Sequence, residues 1–414
     1  MAASSDDFIP LKPYGGSDVV CAVCGHEQLL QGELFFQGIH TVARHTCSQC
    51  GQPFYTTIPV AHDLLFPATF GEQGTHLSCD PSVVGWMIGP LLESLFNGTS
   101  ITVPITKKGT ASAQEIIILN CLESIFGHAF AKLWNAVVLT KKYPGLHLIV
   151  FVPRTLAWLV PDDVPEVWIF DAPLKDLKRG IANLDAEVKQ LMESASNVWL
   201  SRAYTHLPLE TIDLRKLHRT EPFDLSRFTS QKPTITFIIR NDRPWQSTRL
   251  EYFLFLVATK FKLSKAFFAW RQNRLIGRTA RKILLELPAA EFFAAGLGTA
   301  GRLPRTIRDR RKGTPTVADE MMWCQLYARS HIVIGVHGSG MLLPTSLAAG
   351  FIAIMPRHKI QHFAEDIAMV KPSRFMVFLG RHVDQYASPT LVSRHAIRMI
   401  RDFPYVYKNA TQEV

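Results

Sequence analysis

The stretch Ser330–Pro356, SHIVIGVHGSGMLLPTSLAAGFIAIMP, decides the fold. Ile332–Val336 is apolar and mostly β-branched, the pattern of a buried strand. His337-Gly338-Ser339-Gly340 follows as a turn with little side-chain bulk. Met341–Ala349 reads as a short helix closed by Gly350, and Phe351–Met355 as a second apolar strand stopped by Pro356. Strand, small-residue turn, helix, strand is the unit of a parallel sheet, whose ligands bind at the carboxyl ends of the strands. Glycines let backbone N–H groups approach a phosphate, and a helix N-terminus favours an anion there. His337 stands where such a ligand would lie.

The same alternation runs outward in both directions. Glu115–Leu139 is helical in character, His147–Val152 is a buried strand, Val167–Phe170 is another, and Ile181–Ser194 is an amphipathic helix. A polar linker, Leu225–Pro233, precedes a fresh strand at Thr234–Ile239, and Pro389–Asp402 closes the chain as a helix. Strands separated by helical patterns imply parallel sheets. The expected architecture is therefore α/β: two Rossmann-like domains facing a cleft, preceded by a small zinc ribbon. Its divisions are a flexible leader (1–17), the ribbon (18–57), an acceptor-side α/β domain (58–228) and a nucleotide-binding α/β domain with a final helix (229–414).

The 414 residues suffice for two full cores, with 47% hydrophobic and 19% charged residues. No apolar run reaches the roughly 18 residues that span a bilayer. The start shows neither a basic n-region nor an apolar h-region. A net charge of +10 suits a phosphate-bearing partner. Four of the seven cysteines form two pairs, Cys21/Cys24 and Cys47/Cys50, each followed by a glycine. Two C-x₂-C knuckles supply the four thiolates of a structural zinc site, with His26 and His45 as bystanders. Cys79, Cys121 and Cys324 read as buried thiols. This usage fits a reducing, cytoplasmic setting, peripheral to the inner face of a membrane if the basic surface meets anionic lipid.

Two basic elements stand out. Arg271, Arg274, Arg278 and Arg281 share one helix face, either solvated or laid on an anionic membrane. Six basic residues between Arg302 and Lys312, bracketed by Pro304 and Gly313, read as a loop, either simply exposed or closing over a diphosphate.

The segment IGVHGSGM-x₃-T-x₂-AAG-F-I resembles the GxHGAGL signature of the family-61 glycosyltransferases. Phe126-Gly127-His128-Ala129-Phe130-x₃-Trp134 with the strand at His147–Val152, and Thr236–Arg240, resemble two further elements of that family. The resemblance implies a two-domain GT-B-like architecture and inverting transfer from a nucleotide sugar to a glycan or lipid-linked acceptor, as in polysaccharide biosynthesis, with no catalytic metal. Under it, His337 donates to a diphosphate oxygen or the donor sugar. Gly338, Ser339 and Gly340 offer backbone N–H groups, Arg240 and Arg243 neutralise the diphosphate, and Thr345 touches base or ribose. His128 is the candidate base, with Asp162 and Asp163 as alternatives. The chain departs from the family at Ser339, and Phe351–Met355 lacks the expected carboxylate. Two other readings stand beside this one: a zinc-ribbon protein gripping nucleic acid, disfavoured because residues 18–57 are not basic, and a catalytically inactive transferase-like scaffold.

Overall fold

The computed structural model describes residues 6–14, 17–109, 114–362 and 374–411. The chain divides into two compact units, Met1–Leu207 and Pro208–Val414. No helix among the described residues is long and apolar enough to cross a membrane.

The first unit opens with β1 (Phe8–Lys12), the hairpin β2 (Ser17–Val20) and β3 (Glu27–Leu30), and an antiparallel sheet of β4 (Glu33–Gln37), β5 (His40–Thr46), β6 (Pro53–Thr57) and β7 (Thr69–Gly71). A second sheet adds β8 (Ile105–Lys108), β9 (Glu115–Asn120), β10 (His147–Pro153), β11 (Glu166–Phe170) and β12 (Asn197–Ser201), in the order β1-β12-β9-β10-β11-β8. Its four central strands are parallel, and β1 and β8 close the edges antiparallel. The chain steps from β9 to β10 to β11 in one direction. It then returns to place β12 on the other flank of β9, so the strand order reverses between β9 and β12.

Three expectations change here. Glu115–Asn120 is a strand, because its Ile-Ile-Ile-Leu run is buried on both faces; the helix begins only at Phe126 and runs to Lys142. Phe8–Lys12 is no loose leader: Phe8 and Leu11 are buried and the segment pairs with β12, although residues 1–5 and 15–16 lie outside those described. The cysteine-bearing segment does not end as a separate module at residue 57. Its sheet continues through Gly71, and Asp185 and Asn120 bond the backbone of Phe36 and Gly38 at 2.9 and 2.7 Å.

The second unit holds β13 (Thr234–Ile238), β14 (Glu291–Ala295), β15 (Ile307–Asp309), β16 (Ile332–Val336), β17 (Gly350–Met355) and β18 (Gly380–Asp384) in the order β15-β14-β13-β16-β17-β18. All five pairings are parallel. Counted within the unit, the order is 3-2-1-4-5-6, that of a doubly wound dinucleotide-binding sheet, with its reversal between β13 and β16. The helices Arg249–Lys260, Ala266–Glu286, Val317–Ala328 and Pro389–Thr411 accompany it.

Leu225–Pro233 is not a linker between the units. Phe223 and Phe228 belong to the second core, and buried His331 bonds on both sides: its Nδ1 accepts from the Thr234 N–H at 3.1 Å and its Nε2–H donates to the Phe228 carbonyl at 2.9 Å. The basic stretch before Gly313 is likewise built into the sheet. Ile307–Asp309 is β15, and Arg311 is buried, bonded to Asp309 and to the carbonyls of Ala300 and Gly301. It therefore cannot swing over a ligand.

The helix Val317–Ala328 starts on a capping box in which Thr316 and Asp319 bond reciprocally. Next to it, burial and the neighbouring Asp319 push the Glu320 carboxyl up to about 7. A carboxyl raised on folding contributes stability that is complete below its unfolded value, near 4.5, and is lost as pH rises through 7. Glu320→Gln should therefore be more stable than wild type at pH 8, by about 1–3 kcal/mol, and equal to it near pH 4. Denaturant titrations at the two pH values measure this.

Candidate functional site

In the first unit, polar groups converge at the carboxyl ends of β9 and β12, where the strand order reverses. The loop after β9 carries Glu123, 2% exposed, and Lys132, 1% exposed, reaches it from the helix Phe126–Lys142. Its Nζ lies 3.1 Å from Glu123 Oε2 and donates to the Leu122 carbonyl at 2.9 Å. His62 Nδ1 stands 3.5 Å from the same oxygen, and the His62 and His128 rings are 4.4 Å apart between centroids. Trp86, carried on a π-helical turn at Val84–Ile88, meets His62 edge-on at 5.5 Å. Behind them His40 bonds Asp63 at 2.8 Å, both buried. His62, Trp86, Met87, Glu123, Lys132 and Lys178 line a small pocket open to solvent.

Electrostatics decide the protonation states. Burial alone would raise the Glu123 carboxyl, but the Lys132 ammonium and His62 hold it well below the ordinary range. Burial would likewise lower His40, and Asp63 overrides it to hold the ring above its usual value. Glu123 is thus a permanent anion at the floor of the pocket, beside two imidazoles. Ala61, which precedes His62, has φ 53° and ψ −117°, a conformation that L-residues avoid and that costs about 1–3 kcal/mol. Its N–H donates to the Arg202 carbonyl at the end of β12, at 2.8 Å, which ties the strained turn to the sheet.

His128 therefore lies in the cluster, on the first turn of its helix. Asp162 and Asp163 do not join it: both are exposed just ahead of β11, at that strand's amino end. Glu123, Lys132 and His62 carried no local signal beyond two charges inside the apolar run Ile116–Trp134. His62, Glu123 and His128 place one donor atom each within 4.8 Å of one another, so they could hold an ion. Lys132 already supplies positive charge at that carboxylate.

In the second unit the opening stretch folds as expected, with β16 at Ile332–Val336 and β17 at Gly350–Met355. The helix is shorter, Leu342–Leu347, entered through a 3₁₀ turn at Ser339–Met341. With only six residues it offers a small dipole to an anion, and most of the positive charge must come from side chains. Two arginines from the end of β13 supply it. Arg243 Nη1 donates to the His337 carbonyl at 2.7 Å, and Arg240 grips Asp242 through two bonds of 2.9 and 2.6 Å. The glycines make room for them. A Cβ on Gly338 (φ 141°) would sit 2.0 Å from Arg243 Nη1, and one on Gly340 would sit 3.0 Å from Arg240 Nη1.

Two guanidiniums against one carboxylate leave this turn with an excess positive charge. Burial lowers Arg243, and repulsion from Arg240 lowers it further. An anion placed between them would relieve that repulsion. The structure thus brings Arg240, Arg243, His337, Gly338, Ser339 and Gly340 together at the point of strand-order reversal. Thr345 is turned back to its own helix, donating to the carbonyls of Met341 and Leu342 at 2.8 and 3.1 Å. No carboxylate follows in β17, but Asp384 ends the adjacent β18 opposite Met355, paired with Arg357 at 3.0 Å.

The four paired cysteines converge as well. Cys21 and Cys50 Sγ are 3.8 Å apart, Cys24 and Cys47 Sγ 3.7 Å, and all four lie within 4.8 Å of one another. A tetrahedron with metal–sulfur bonds of about 2.3 Å has edges of about 3.8 Å, so the set fits a bound metal. Gly25 (φ 72°) and Gly51 (φ 70°) make the left-handed turns that close each knuckle, donating to the carbonyls of Cys21 and Cys47. His45 stays outside, bonded to Thr56 at 3.0 Å, and burial drops its ring to about 4.

No protein-family model matches the chain, and no curated protein matches it. Among solved structures, it is similar to the ADP-heptose LPS heptosyltransferase II of E. coli, with 12% identity over 70% of this chain and 99% of that one and a TM-score of 0.38. It is also similar to the glycosyltransferase SnogD from Streptomyces nogalater, with 12% identity over 67% and 75% of the two chains and a TM-score of 0.24. At these scores neither likeness carries an argument about this chain.

Glu123→Gln would leave the Lys132 ammonium buried without its counter-charge. We expect a loss of about 3–5 kcal/mol in a denaturant titration, partly restored in the Glu123→Gln/Lys132→Met double variant.

Proposed function

We propose that the protein is a glycosyltransferase that takes a sugar from a nucleoside-diphosphate donor, with inversion, to a glycan or lipid-linked acceptor. One observation carries the reading: a cationic small-residue turn, Arg240 and Arg243 over Gly338 and Gly340, at the reversal point of a 3-2-1-4-5-6 parallel sheet. That place takes nucleotides, and its charge suits a diphosphate. As the acceptor oxygen bonds to the anomeric carbon, the bond from that carbon to the diphosphate oxygen breaks. Negative charge grows on the leaving diphosphate, where the arginines act. The acceptor hydroxyl's proton goes to a base; in the first unit His128, beside the Glu123 carboxylate, has the chemistry for that role. Thr345, bonded to its helix, contributes packing in this scheme.

The test is sugar transfer, or donor hydrolysis, across a panel of nucleotide sugars. Arg240→Ala should lose about 10²–10³-fold in kcat, and His128→Ala about 10²–10⁴-fold. Turnover equal to wild type in both variants would remove the assignment. Nucleotide binding with no turnover by wild type on any donor would favour the inactive-scaffold reading, which the absence of a carboxylate in Gly350–Met355 motivates.

We further propose that the four-cysteine set holds a structural zinc, since four thiolates leave no open coordination position. The Cys50 backbone N–H holds the Cys47 thiol below its usual range, against the opposing effect of burial. Elemental analysis should find one zinc per chain, and a strong chelator should lower the melting temperature. Cys47→Ser should bind less zinc and melt earlier even without chelator.

A further inference from the structure

Between β13 and β14 the second unit carries two helices, Arg249–Lys260 and Ala266–Glu286. The first of them packs through a small cluster, Phe255 and Ala258 against Phe268 of the second. Outside that cluster the two helices and the turn between them expose large apolar side chains. Leu250 is 66% exposed, Phe253 60%, Phe261 63%, Leu263 57%, Phe267 51% and Trp270 48%. A water-facing surface seldom carries so many large apolar side chains within one short stretch of chain, and such a concentration marks a contact with something else.

Charge says what that something is. Residues 249–282 contain nine Lys or Arg (Arg249, Lys260, Lys262, Lys265, Arg271, Arg274, Arg278, Arg281, Lys282) and one acid, Glu251, a net of +8. That acid is turned inward and bonded to Arg271 and to the Ser247 N–H. Within residues 249–282 the outward side chains therefore include cations and no carboxylate, while Glu286 at the end of the second helix is paired with Arg401. Several cations lie beside aromatic rings: Lys260 Nζ is 5.9 Å from the Phe261 centroid, Lys265 Nζ 5.1 Å from Phe255, and the Arg274 guanidinium 5.5 Å from Trp270. Apolar tips ringed by long cationic stems suit a headgroup layer, where the tips enter the acyl boundary and the charges meet phosphates. A protein partner would need a large acidic and apolar surface of its own; a bilayer offers both properties everywhere.

We propose that this helical pair is a docking face for the surface of an anionic lipid bilayer, with Phe253, Phe261, Leu263 and Phe267 seated at the headgroup–acyl boundary. The binding is peripheral, salt-dependent and independent of the transfer chemistry proposed above. The Arg274–Arg281 face of the second helix extends the cationic rim.

The experiment is flotation of the full chain with vesicles of phosphatidylcholine alone and of phosphatidylcholine mixed with phosphatidylglycerol. We expect binding to the mixed vesicles only, weakened by salt, with the Trp270 region shielded from aqueous quenchers when bound. The triple variant Phe253→Ser/Phe261→Ser/Phe267→Ser changes exposed positions and should keep the wild-type melting temperature while losing about tenfold or more in vesicle affinity. Lys260→Glu/Lys262→Glu is a second variant that keeps the apolar tips and should lose binding to the mixed vesicles. No vesicle binding by wild type, or undiminished binding by both variants, overturns the proposal. Wild-type self-association that the triple variant abolishes, without vesicle binding, also overturns it and assigns the face to a second copy of the chain.

Discussion

A parallel sheet that reverses its strand order must uncover the carboxyl ends of two neighbouring strands, because the connections leave them toward opposite faces. This chain contains two such sheets, and each reverses once: between β9 and β12, and between β13 and β16. Two polar clusters among the described residues sit at these two places. His62, Glu123, His128 and Lys132 occupy the first; Arg240, Arg243 and the His337–Gly340 turn occupy the second. The topology places these side chains at the carboxyl ends of neighbouring strands.

The two places are charged differently. In the first unit the charges are balanced: Glu123 is buried against Lys132, and Asp63 against His40, each with a partner at hydrogen-bond distance or close to it. Balanced buried pairs hold a fixed local field. In the second unit the charge is unbalanced, with two guanidiniums to one carboxylate, and Arg243 is disfavoured by its neighbour. That site gains from an incoming anion.

Much of the local architecture was legible. Ile332–Val336, the two cysteine knuckles and the strand at His147–Pro153 declare themselves through β-branched runs and short spacings, which act over a few residues. The misreadings share one cause, the choice between local pattern and distant partner. Glu115–Asn120 has no period that separates a buried strand from a helix. Phe8–Lys12 looks like a tail until β12 pairs with it. Leu225–Pro233 looks polar enough to be a linker until His331 bonds its backbone. Arg311 looks like one more exposed cation until Asp309 and two carbonyls enclose it.

The sequence by itself determined that the chain is α/β, that four thiolates can meet, and that a glycine-lined turn follows an apolar strand, since each depends on residues only a few positions apart. Tertiary structure alone decided which charges matter. His62 and Glu123 are separated by 61 positions, and Arg243 and His337 by 94, and of the four only His337 sits in a recognisable motif. Only the return of β12 to the flank of β9, and the placement of β16 beside β13, bring them within reach. Electrostatic energy falls off with distance in space, and distance along the chain does not enter it.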